Sequence, residues 1–337
     1  MPRARDLLWA LGGIVPAAVA ACGGPAATSG GSAPPASVHV VVQEGRQAFP
    51  IQVMQQQGIA AAHHLRLDLT RAADPQAIYT AIQAGNFDVA FGGWPTLALL
   101  RQKGSDVTVT GPVDRFTNEV LVRSDSSIQG FADLRGRRIG LYAGPTGTST
   151  ILFRLICVRF YGFDPLTAAS VQYGAAPLLM SALARGDLDA ALILDPLIAQ
   201  ELETHRYRSV GDLGTIWQER TGQQLMEVGV AMRASWAGSH TSVARSFMSA
   251  YEEALGYLRS HPNAWTQLAG SVGIKDAQGI ALLRSRTSSS FMTSWNRTVI
   301  DQQAAFADEV SRYLGKVSGV PTTIPPGTFT TDYLSTA

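Results

Sequence analysis

Ile139-Gly140-Leu141-Tyr142-Ala143-Gly144-Pro145-Thr146-Gly147-Thr148-Ser149 reads as a short strand, a glycine-rich turn and the opening of a helix. The apolar helix it opens is expected to run from Thr148 to about Tyr161, followed by a strand at Ala169 to Gln172, a helix at Pro177 to Arg185 and a strand at Asp189 to Leu194. Upstream the same alternation is present. Val38 to Val42 is a nearly continuous β-branched run, as expected of a strand covered on both faces. Pro50 to Gly58 reads as a helix, Leu65 to Leu69 as an alternating strand, and Asp74 can cap a helix whose first residue is Pro75. Asp88 to Phe91 is a short strand, and Val107 to Thr110 and Glu119 to Arg123 are further strands. Strands alternating with helices predict an α/β protein with mostly parallel sheets and helices on their faces. Beyond a strand at Val228 to Met232 the chain turns helical, with apolar stripes over Val243 to Leu258 and a helix from about Arg297 to Leu314.

A chain of 337 residues is too long for one ordinary core and fits about two domains. Hydrophobic content of 46% against 16% charged residues is the balance of a packed globular protein. The formal charge is +1, and loss of Arg3, Arg5 and Asp6 with a leader would take it to 0. No basic stripe with interleaved aromatics is present, which excludes a phosphate-tracking nucleic-acid surface. The sequence contains neither a metal-ligand spacing nor a catalytic motif, and no cofactor is expected. His63 and His64 are adjacent, which is not the i, i+4 spacing of a helical zinc pair, and Cys157 sits in an apolar run as a small buried hydrophobe.

Residues 1–21 have the layout of a signal peptide: Arg3 and Arg5, the apolar run Leu7 to Ala20, and a small-residue end. The run of about 14 residues is short of the roughly 20 that span a bilayer. Val19-Ala20-Ala21-Cys22 resembles a bacterial lipobox, which implies lipidation at Cys22; plain secretion is the alternative. Residues 22–37 hold Gly, Ser, Pro and Ala with no charge, the composition of a tether that cannot repay the entropy of ordering.

Three segments carry a wider resemblance: Ala81 to Ala90 (AIQAGNFDVA), Phe131 to Gly140 (FADLRGRRIG) with Gly147-Thr148-Ser149 after it, and Ala182 to Ala190 (ALARGDLDA). In this order they resemble the periplasmic-binding-protein type 2 superfamily, in the group binding aliphatic sulfonates, taurine, nitrate or thiamine-pyrimidine precursors. The resemblance extends from about Val38 to Leu314. It implies two lobes joined by two crossings, near Gly111 to Val120 and Gln224 to Met232, with a ligand cleft between them. Lobe I is then 38–115 plus 228–337 and lobe II is 116–227. Where family members carry an aromatic in a W-x-P segment, this chain has Leu194-Asp195-Pro196.

Ligands of open α/β sheets sit beyond the carboxyl ends of the strands. The candidate loops are Gln43 to Phe49, Gly92 to Pro95, Gly144 to Ser149 and Asp195-Pro196. Thr146, Gly147, Thr148 and Ser149 combine helix-start N–H groups with hydroxyls that suit an anionic or polar group, the alternative being N-capping by Thr148 or Ser149. Trp94 follows two glycines and is expected over a ligand face or, alternatively, in the core. Glu44 and Asp195, in opposite lobes by the resemblance, suit an amine, or are solvated loop charges. Arg115 is the counter-charge for an anion, with Phe116 beside it.

Together these features point to an exported, lipid-anchored, monomeric receptor that closes on a small polar solute (a sulfonate, nitrate, a pyrimidine-type heterocycle or a zwitterion) and presents it to the permease and ATPase of an ABC importer. An enzyme on the same fold (a lyase or a pyrimidine-precursor synthase) and a sensory receptor without a permease are the alternatives.

Overall fold

The computed structural model describes residues 34–72, 75–142 and 144–334. Asp74, the leader, Cys22 and most of the expected tether lie outside the described residues. Ten strands are present among the described residues: β1 (Ala36–Gln43), β2 (Leu65–Ala72), β3 (Val89–Gly93), β4 (Thr108–Arg115), β5 (Glu119–Arg123), β6 (Arg138–Leu141), β7 (Ser170–Tyr173), β8 (Ala190–Ile193), β9 (Tyr207–Asp212) and β10 (Met226–Met232). They form two five-stranded sheets, in the orders β2-β1-β3-β10-β4 and β7-β6-β8-β5-β9.

Strand position explains strand composition. Central β1 buries Val38, Val40, Val41 and Val42, because helices cover both faces. Edge strand β2 alternates, with Leu65 and Leu67 buried and Arg66 and Asp68 exposed. Each sheet contains one strand that opposes the rest: β10 runs antiparallel to β3 and β4, and β5 antiparallel to β8 and β9. These are the first strands after the chain passes from one sheet to the other, so each enters its new sheet from the reverse direction. The sheets are therefore mixed rather than purely parallel.

Helix ends follow local chemistry. The helix Phe49–Gln56 has Pro50 in its first turn and is followed by Gly58 at φ 70°. The helix Thr148–Tyr161 ends on left-handed Gly162. Elements unmarked in the sequence reading include the helix Trp94–Gln102, strand β9 and the helix Leu213–Thr221.

The cores of the two sheets are joined through aromatic rings. Phe306, on the helix Arg297–Leu314, stands between Trp94 of the first sheet's unit and Trp217 of the second's, with ring centroids 6.1 Å and 6.0 Å away. That helix also packs on Thr148–Tyr161, where Arg159 pairs with Glu309 at 2.8 Å. The helix Ala277–Ser290 packs on Leu197–Glu203. The C-terminal helices thus brace both units. No helix among the described residues is long and apolar enough to cross a membrane.

The first crossing is held by a close backbone approach. A Cβ added at Gly214 would lie 2.2 Å from the carbonyl oxygen of Phe116, a contact that only main-chain movement relieves. Gly214→Ala is expected to cost about 1–3 kcal/mol in urea denaturation. Gly238→Ala, whose added Cβ meets nothing within 4 Å, should remain at or above wild-type stability in the same measurement.

Candidate functional site

β3 ends at Gly93, which pairs with Val228 of β10, so Glu227 lies at the same carboxyl edge. The Gly93 N–H donates to Tyr79 Oη at 3.1 Å. A methyl group at Gly93 would stand 3.3 Å from Tyr79 Oη, 3.4 Å from Thr148 Oγ1 and 3.7 Å from the Glu227 carbonyl oxygen. Gly93 and Tyr79 come from the first sheet's unit and Thr148 from the second's, so this is where the lobes converge. Glycine is favoured here by proximity, not by backbone angle: an added methyl would press on Tyr79 Oη, while the φ is an ordinary −62°.

The opposite wall is the loop 144–149. Gly147, not a hydroxyl residue, is the N-cap of the helix Thr148–Tyr161, and no side chain caps it. The N-capping alternative for Thr148 and Ser149 is therefore set aside. Thr146 is exposed, Thr148 half-buried and Ser149 buried, while Thr150 Oγ1 donates to the Tyr142 carbonyl at 3.1 Å and fixes the loop over its strand. Uncapped N–H groups at the start of a 14-residue helix supply partial positive charge.

The centre of the site is a network of buried charges. Arg46 directs three donors at three partners: Nε to Asp114 at 2.6 Å, Nη1 to Thr117 Oγ1 at 2.6 Å and Nη2 to Glu227 at 2.7 Å. Arg46 and Asp114 are 5% and 0% exposed. Burial opposes the Arg46 charge, but Asp114, Glu227 and Asp195 more than offset it and hold the guanidinium above its ordinary value. Burial likewise raises both carboxyls against the pull of Arg46, and Glu227 is pushed up to about 7. A second guanidinium, Arg286, bridges Glu119 at 2.7 Å and Asp195 at 2.8 Å, joining the first crossing to the loop after β8. Arg115 contacts Asp212 at 3.3 Å and the Phe116 carbonyl at 3.0 Å.

The sequence-predicted residues divide into two groups. Thr146 to Ser149 and Asp195 lie on the facing loops, and the Asp195 charge reaches Arg46. Trp94 does not reach the cleft surface. It is the first residue of its helix, its ring is 0% exposed, and it packs on Phe306 and Phe329, so its alternative reading as a core aromatic is the one the fold adopts. Glu44 turns outward to an exposed ion pair with Arg71 and does not join Asp195. Arg115 is tied into the crossing. The residues missed by sequence reasoning are Arg46, Tyr79, Asp114, Glu227 and Arg286. Single carboxylates interrupting the apolar strands β4 and β10 were the available signal for two of them.

The sequence profile of the NMT1/THI5-like family matches residues 46–265, a span that runs from Arg46 through both crossings. The chain belongs to the NMT1/THI5-like family. This family member is 24% identical over 220 residues to a putative thiamine biosynthesis protein of Haemophilus influenzae, and 25% identical over 155 residues to a 4-amino-5-hydroxymethyl-2-methylpyrimidine phosphate synthase of Aspergillus parasiticus. The alignments cover 64% and 45% of this chain and span 66% and 44% of those relatives, less than two thirds of either. Among solved structures it is similar to the alkanesulfonate-binding protein SsuA of Xanthomonas axonopodis pv. citri, at TM-score 0.69 and 18% identity over 88% of this chain and 99% of that one. The periplasmic aliphatic sulphonate binding protein SsuA of Escherichia coli gives TM-score 0.70 and 18% identity over 83% and 87%. The fold of this NMT1/THI5-like protein is the two-lobe periplasmic-binding-protein type 2 fold.

Glu227 gives the site a pH signature. Its ordinary value is 4.5 and its folded value about 7, so between those limits the folded protein holds more protons than the unfolded one. Its contribution is complete below pH 4.5 and lost as pH rises through about 7, a slope of up to ~1.4 kcal/mol per pH unit. Glu227→Gln should flatten that decline in urea denaturation between pH 5 and pH 8.

Proposed function

We propose that this protein is an exported solute-binding receptor that closes its two lobes over a small polar solute and delivers it to a membrane ABC importer. The observation that carries this reading is the convergence at Gly93. A glycine edge, a tyrosine hydroxyl and the Glu227 main-chain carbonyl of one lobe closely approach the hydroxyl-bearing helix start of the other. A solute held where the two lobes approach would be contacted from both only when they are closed, and a ligand drives closure only through contacts that the open form lacks. Family membership and the fold shared with SsuA proteins support it. The lipobox-like Val19 to Cys22 and the uncharged stretch after it support a receptor held to the membrane surface by a lipid.

A second reading, a pyrimidine-precursor synthase, is favoured by the Aspergillus relative's name. Among the thiols and histidines available for chemistry, Cys157 is buried in the core with its thiol pushed well up by burial, and His63 is engaged with Glu253 at 2.7 Å on the surface. Receptor function fits these placements better, since neither group faces the cleft loops.

Native mass spectrometry of the purified protein should reveal one bound small molecule, which raises the melting temperature when added back and is released chemically unchanged. Conversion of that molecule by the protein would replace the receptor reading by the synthase reading. Gly93→Val should weaken its binding by at least roughly tenfold, the effect of misplacing a packed contact, with calorimetry as the readout. In a bacterial host the wild-type protein is expected in the detergent phase and Cys22→Ser in the aqueous phase of a phase-partition assay.

A further inference from the structure

The charges of the cleft carry a statement about which solutes it can hold. Three guanidinium groups lie around it, and each is already engaged by carboxylates: Arg46 by Asp114 and Glu227, Arg286 by Glu119 and Asp195, Arg115 by Asp212. Three cations therefore face five carboxylates. Among the described residues, an oxyanion entering this site would find no guanidinium around it without a carboxylate partner. To gain one it would have to displace a buried carboxylate, whose desolvation is then uncompensated. A cation meets the opposite situation. Glu227, at 14% side-chain exposure, is the carboxylate of the Arg46 cluster that retains access. Its main chain runs beside Gly93, and its charge reaches Tyr79, whose hydroxyl accepts from the Gly93 N–H where the lobes converge.

A second feature points to an absent polar partner. Asn118 is 0% exposed, and neither its Nδ2 nor its Oδ1 has a hydrogen-bond partner in the protein. It stands in the first crossing between Thr117, which binds Arg46, and Glu119, which binds Arg286. Buried amides without partners are rare in folded proteins, and they are expected where a ligand or an ordered water completes the set.

We propose that the cleft selects a small solute bearing a protonated amine or amidinium group, received by Glu227, and rejects simple sulfonates and nitrate. The hydroxyls and N–H groups of residues 147–149 take the solute's acceptor end, so a zwitterion or a cationic base with one acceptor fits both walls. This inference rests on the cleft being the capture site proposed above. It sets the chain apart from the SsuA proteins whose fold it shares, which are described as alkanesulfonate- and aliphatic sulphonate-binding.

The test is isothermal calorimetry at pH 7.5 with two probe sets, agmatine, choline, glycine betaine and 4-aminopyridine against ethanesulfonate, butanesulfonate and nitrate, together with the solute identified by native mass spectrometry. The expected result is binding by a cationic or zwitterionic probe or co-purified solute. Glu227→Gln should weaken it roughly 30-fold or more, the cost of removing one partner of a buried charge pair, and Glu227→Asp should retain most of the affinity. The unliganded melting temperatures of the two variants, measured alongside, show that both are folded. Binding confined to sulfonates, nitrate or uncharged solutes overturns the charge assignment and leaves the capture reading standing, as does a cationic solute whose affinity is unchanged in Glu227→Gln. Recovery of no solute, with no response to any probe, overturns the capture reading and this inference together.

Discussion

Arg46 is the fixed point of the cleft. It leaves the first strand's carboxyl end, is almost completely buried, and its guanidinium binds Asp114 at the end of β4, Thr117 in the first crossing and Glu227 at the start of β10. Removing two carboxylates and a guanidinium from water is costly, and only near-complete hydrogen bonding makes the burial tolerable. The same contacts tie both crossing strands to the loop after β1. A cluster of this kind contributes less to net stability than to uniqueness, because any other register of β4 or β10 would strand a buried charge.

The antiparallel strands β5 and β10 have a related consequence. Each follows a passage between the sheets and inserts beside strands laid down much earlier or later in the chain. The residues of the candidate site are accordingly drawn from six separate parts of the sequence: the loop after β1, the end of β3, the two crossings, and the loops after β6 and β8. Arg286 adds a seventh, reaching from the C-terminal helices to Glu119 and Asp195. Arg286 and the Phe306 contacts with Trp94 and Trp217 therefore join the two lobes alongside the crossings.

The alternation of strands and helices was legible because its signals are local. β-Branched runs, the Pro50 and Gly58 punctuation, the turn at Gly144 to Gly147 and the apolar stripe of Val243 to Leu258 each act within a few residues. The loops at the strand ends were legible too, since the strands define them. Individual side chains were not. Trp94 has the same sequence context whether its ring points to a ligand or into the core, and its position as first residue of a helix packed against Phe306 and Phe329 decided for the core. Glu44 and Glu227 are both carboxylates near strand ends, yet one turns to Arg71 at the surface and the other to Arg46 inside.

What the sequence by itself determined is the α/β layering, the two-lobe order of elements and the loops at the strand ends, because hydrophobic period and turn chemistry are short-range properties. What only the tertiary structure decided is which charges meet. Arg46 and Glu227 are 181 residues apart, and Arg286 and Asp195 are 91 apart. Ion pairing depends on distance in space and on removal of water, neither of which is written in the spacing of residues along the chain.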